Sequence, residues 1–127
     1  MNRVAVAFPL WLLATAVATA VPAAAQPYPA KPIRFIVPYA PGGIVDAAAR
    51  IVGAKLTEAW GQQVVVENKP GGNATIGMSA VAKAAPDGYT ILVASSGDFM
   101  LSPAVLKDLP YDVEQDFVPI TTLTDTP

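Results

Sequence analysis

The chain has 127 residues, a formal net charge of −2 at neutral pH, no cysteine and no histidine. That length suits one domain of ordinary size, and the missing residue types exclude disulfides, thiolate metal sites, histidine bases and histidine triads. The eight Lys and Arg residues are scattered singly, so there is no basic patch to neutralise phosphates and no nucleic acid partner is expected.

The first predicted element is a leader. Arg3 precedes an uncharged run from Val4 to Val21, followed by Ala23-Ala24-Ala25. This order of n-region, h-region and small-residue motif marks residues 1–25 as a signal peptide, with cleavage before Gln26. A membrane anchor is the competing reading, because the run is near the lower length limit for a span. Pro9, dilution by alanine and threonine, and the absence of a basic stop-transfer cluster count against it. The mature chain is therefore expected in the periplasm.

Residues 26–32 form a proline-rich extended entry. Ile33-Arg34-Phe35-Ile36-Val37 has the pattern of a buried parallel strand, and the segment from Pro38 to Gly43 that of a turn. From Val45 to Trp60 the apolar residues Val45, Ala48, Ala49, Val52, Leu56 and Ala59 follow helical spacing, and Gly61 ends the helix. Val64-Val65-Val66 is a second strand, followed by a glycine turn at 68–73, a shorter helix over 76–85 stopped by Pro86, and a third strand over Thr90–Ala94. Residues 99–110 read as a loop with a short helix, and Phe117-Val118-Pro119-Ile120 as the start of a fourth strand. Alternation of strands and helices predicts an α/β domain with an open, mostly parallel sheet flanked by helices.

In such a sheet, ligands bind outside the carboxyl ends of the strands. Two segments fall there. Ala40-Pro41-Gly42-Gly43 lets the backbone approach a ligand, and the following helix start presents unpaired N–H groups, so the pair forms an anion seat. The same glycines suit a plain strand-to-helix turn. Ser95-Ser96-Gly97-Asp98 offers hydroxyls and N–H groups for a carboxylate, or equally for helix capping. Asp46 complements a helix dipole better than it serves as a catalytic acid. The 68–73 turn reads as solvated, and Trp60 and Tyr89 as core or rim aromatics. No carboxylate pair, nucleophile–base set or metal cluster emerges, so no enzyme, cofactor or metal is expected.

The stretch from Tyr28 to Gly43 (YPAKPIRFIVPYAPGG), with Asp46 and Arg50 behind it, resembles the opening of the Bug family. These are the periplasmic solute receptors of tripartite tricarboxylate transporters. The resemblance continues through Val64–Gly72, Ala82–Thr90, Leu109–Asp112 and Asp116-Phe117. It implies a two-lobed, type II Venus-flytrap periplasmic-binding-protein fold, of which residues 26–127 form part of the first lobe and the second lobe is missing. It further implies capture of a small carboxylate and delivery to membrane permease subunits. Carried onto this chain, the ligand-binding residues are Tyr39, Ala40, Pro41, Gly42, Gly43, Asp46, Ser95, Ser96 and Gly97, and a side chain at Gly43 would block the ligand and strain the backbone. Two positions depart from the family pattern: Ile44 after the glycine pair, and Asp98 after the third strand, where a carboxylate would repel a second acidic group. A ligand-presenting module for a membrane kinase and a small exported α/β enzyme are the alternatives. Neighbouring genes discriminate the first, and a hydrolase screen the second.

Overall fold

Alternation along Ile33-Arg34-Phe35-Ile36-Val37 places Ile33, Phe35 and Val37 on one face of a strand and Arg34 and Ile36 on the other. In the computed structural model, which describes residues 27–106 and 108–124, this segment is β1 (Ile33–Val37) and lies at the centre of a sheet. The leader lies outside the described residues. Both faces of β1 are covered, and four of its five residues are buried. Exposed Arg34 escapes by pairing through Nε and Nη2 with the two carboxylate oxygens of Glu67, at 2.6 and 2.8 Å.

Helix α1 (Ile44–Trp60) leads to β2 (Val64–Asn68), and α2 (Thr75–Ala82) to β3 (Thr90–Leu92); two short helices follow, α3 (Ser96–Met100) and α4 (Ser102–Val105). The strand order is β2-β1-β3 and both pairings are parallel. Ile33 sits opposite Val64, and Ile36 opposite Glu67 and Leu92.

The two long crossovers cover opposite faces. α1 brings Ala49, with Val45, Val52 and Leu56, onto Ile33, Phe35 and Val37. Gly53 makes that approach close: a Cβ there would lie 3.1 Å from Val64 Cγ1. α2 carries Met78 into a second cluster with Ala74, Tyr111, Leu92, Phe99 and Phe117. Its Gly77 packs against the chain leaving β1, where a Cβ would come within 2.7 Å of Pro38 Cβ. As the spacing predicts, Gly61 closes α1 in the left-handed conformation (φ 67°), its N–H donating to Thr57 O at 3.0 Å.

Several expectations need correction: α2 stops at Ala82 and β3 at Leu92, short of the expected ends at residues 85 and 94. β2 runs two residues further, to Asn68, because Lys69 N–H still donates to Val37 O at 2.8 Å. Of the two readings of Ser95–Asp98, the structure shows helix capping, with Ser95 as the N-cap of α3. Residues 117–120 are not a strand. Phe117 turns into an aromatic cluster, edge-on to Phe99 and Tyr111 at 5.6 and 5.8 Å, while Val118 and Ile120 are 87% and 73% exposed. Pro119 between them has no N–H to offer a ladder. Apolar, β-type composition marked this stretch, but its one anchored side chain belongs to a loop.

Candidate functional site

The order β2-β1-β3 fixes where a crevice opens. From β1 the chain moves through α1 to β2 on one side, and from β2 through α2 to β3 on the other. Chain direction therefore diverges between β1 and β3, the switch point at which α/β sheets hold ligands beyond their strand ends. The turn of residues 39–43 and the loop of 95–98 flank this point.

Tyr39 ties the two together. Its hydroxyl donates to the Asp98 carboxylate and accepts the N–H of Ser95 at 3.1 Å. Burial and the Asp98 hydrogen bond push the phenol up to about 12, with the Ser95 N–H opposing in part. The group thus remains a proton donor at neutral pH.

On the β1 side, Gly42 adopts φ 91°, a conformation that side chains disfavour. Its N–H donates to Asp46 Oδ2 at 2.9 Å. Asp46 is buried at 4% exposure and also accepts from Arg50 Nε at 3.0 Å and from Asn68 Nδ2 at 2.9 Å. Asn68 completes a ring: Nδ2 donates to Tyr39 O at 3.1 Å, and Oδ1 accepts from Arg50 Nη2 at 3.0 Å. The Arg50 guanidinium, with the Gly42 N–H and the Asn68 amide, holds the Asp46 carboxyl well below the usual carboxylate range. Asp46 is therefore a fixed anion that shapes the turn, consistent with its expected place at a helix start and unsuited to proton transfer.

Gly43 is the N-cap of α1, in extended conformation (φ −80°, ψ 173°), and no side chain caps the helix. The first intrahelical bond from this end is Ala47 N–H to Gly43 O at 2.9 Å. The N–H groups of Ile44, Val45 and Asp46 precede it and, as first-turn donors, have no intrahelical acceptor. A shallow pocket of about 140 Å³ opens beside this turn, lined by Tyr39, Gly43, Ile44, Val45 and Asp46. Ala40 and Pro41 are exposed on its approach.

The β3 side is more self-contained than its sequence implied. Ser95 caps α3 through Oγ to Gly97 N–H at 3.3 Å, and Asp98 Oδ2 accepts the Ser95 N–H at 3.2 Å, a reciprocal capping box. The Ser95 and Gly97 N–H groups are thus engaged, and Ser95 and Ser96 are exposed residues at the crevice edge. All nine residues singled out by the sequence lie at these two strand ends. Asn68 was overlooked, because its Asn-Lys-Pro-Gly-Gly context reads as a solvated turn. The available signal was its place directly after Val-Val-Val-Glu, at the end of a parallel strand beside β1. Among the described residues, no group of three or more acidic side chains could hold a metal ion.

Residues 48–127 match the family described as tripartite tricarboxylate transporter family receptor. The chain is 44% identical over 119 residues to a UPF0065 protein of Bordetella bronchiseptica, covering 93% of this chain and 36% of that one. It is 42% identical over 109 residues to protein BugT of Bordetella pertussis, covering 85% and 33%. The chain thus spans about a third of the length of these relatives. Among solved structures, the periplasmic binding protein BugD superposes with a TM-score of 0.66 at 40% identity, over 73% of this chain and 31% of that one. MatC from Rhodopseudomonas palustris with bound malate gives 0.68 at 35% identity, over 72% and 31%. A further R. palustris protein, solved with adipate, gives 0.66 at 33%, over 68% and 29%. The partial α/β lobe expected from the sequence is therefore the fold of this chain.

Proposed function

The chain belongs to the tripartite tricarboxylate transporter receptor family, and from that premise we propose that it supplies the first-lobe half of a periplasmic site for a small carboxylate. The ligand carboxylate would sit on the uncapped start of α1, between Gly43 and Asp46, with Tyr39 as its wall and the 95–97 segment across the crevice. The observation that carries this reading is the α1 N-terminus opening into a pocket at the β1/β3 switch point. Amide donors and the helix dipole favour an anion there without any basic side chain. The ligands named for two structural neighbours, malate and adipate, are small acids, which supports the ligand class. Capture would be completed by a second lobe, and delivery would be to a membrane permease. A receptor role, rather than an enzymatic one, follows the family to which the chain belongs.

Ligand-observed NMR on the purified mature chain, with propionate, malate and adipate as probes, tests the reading. Saturable transfer in the millimolar range to at least one acid is expected, since one lobe offers half of the contacts. Transfer to none of the three, from a folded chain, removes the carboxylate assignment.

A further inference from the structure

We propose that Asp98 sets ligand specificity, so that the site selects a small monocarboxylate carrying a cation or hydrogen-bond donor at its far end, and disfavours dicarboxylates. The inference rests on the α1 start being the carboxylate seat, and concerns what stands opposite it. The seat's attraction for an anion comes from backbone alone: no Lys or Arg lines the pocket, and the partial positive charge of a helix end amounts to about half a unit. Arg50, one turn along α1, is engaged by Asp46 and Asn68.

Across the crevice the charge has the opposite sign. Tyr39, which lines the pocket, donates its hydroxyl to Asp98, and Ser95 N–H also meets Asp98 Oδ2. Both bonds fall on one oxygen. Among the described residues no hydrogen bond reaches Oδ1, and Asp98 is half-buried, so its carboxylate is only partly engaged. The crevice thus has amide donors at one end, beside an Asp46 carboxylate already paired with Arg50 and Asn68, and at the other a carboxylate bonded to the Tyr39 hydroxyl, with no Lys or Arg paired to it among the described residues. A ligand with a carboxylate and an amino or amide group matches both ends. A second carboxylate would meet Asp98 with no side-chain cation to offset it. At the effective dielectric of a solvated crevice, like charges several ångströms apart repel enough to weaken binding about tenfold.

Butyrate, 4-aminobutyrate and succinate share a four-carbon length and differ only at the far end. Amide-shift titrations of the mature chain, followed at Gly43, Ile44 and Val45, give dissociation constants for each. 4-Aminobutyrate is expected to bind about tenfold more tightly than succinate, and Asp98→Asn, which keeps the capping acceptor, to close that gap to within about threefold. Raising ionic strength from about 0.01 to about 1 M should narrow the gap in the unsubstituted chain, a check independent of whether the variant folds. Succinate binding as tightly as 4-aminobutyrate, or a gap unmoved by both Asp98→Asn and salt, overturns the specificity claim while shifts at the three amides still uphold the seat. Absence of shifts there with all three acids overturns the seat, and this inference with it.

Discussion

Gly42 and Gly43 are neighbours with different demands. The left-handed conformation belongs to Gly42 (φ 91°), whereas Gly43 is extended and a Cβ there would meet only Ala40 O, at 3.9 Å. The backbone strain expected of a side chain at Gly43 therefore belongs one residue earlier. Gly42→Ala should lose about 1–2 kcal/mol of stability in urea titrations, and Gly43→Ala should stay within about 0.5 kcal/mol of the unsubstituted chain. Gly43→Val would then weaken carboxylate binding by obstruction alone, with an unchanged circular dichroism spectrum. Asp46 adds a pH dependence. Its folded-state pKa is depressed, so the stability it contributes is present above the ordinary aspartate value and lost as pH falls through the folded value. Asp46→Asn should lower the melting temperature at neutral pH and flatten its fall below about pH 4. An unchanged acid limb would mean that the ring of Asp46, Arg50 and Asn68 does not stabilise the turn. Asp46 was legible as a helix-start anion. Its partner Asn68 was not, because register between β1 and β2 is long-range information.

Helix α2 depends on a residue that looks unremarkable in sequence. A Cβ on Gly77 would collide with Pro38 Cβ and Cα, at 2.7 and 2.8 Å, and lie 3.0 Å from Lys69 O. These atoms are backbone or ring and cannot rotate aside. Gly77→Ala is expected to cost about 1–3 kcal/mol by overpacking. Gly53→Ala in α1 meets only the side chains of Val64 and Val66 and should cost less, and equal losses in urea unfolding would contradict the distinction. At this scale helices and strands with clear periodicity were readable: α1 begins and ends within a residue of its predicted span. The 117–120 stretch misled because β-type composition does not specify a partner, and Phe117 found aromatic neighbours before any strand did.

Across the whole molecule, a parallel sheet with helices on both faces followed from the order of elements. The strand order β2-β1-β3 did not, since adjacency is decided by which face each crossover covers. That order is what brings residues 39–43 and 95–98 together; their position at strand ends was readable in the sequence, and the hydrogen bonds that join them were not. The leader makes a separate forecast: N-terminal sequencing of exported protein should begin at Gln26, and an intact Met1 in a membrane fraction would favour an anchor. The central claim is that the start of α1 is a carboxylate seat. A crystal structure of the mature chain with 4-aminobutyrate tests it most directly. A carboxylate oxygen within hydrogen-bond distance of the Ile44 or Val45 N–H is the predicted result, and a carboxylate bound elsewhere with those amides facing only solvent would contradict it.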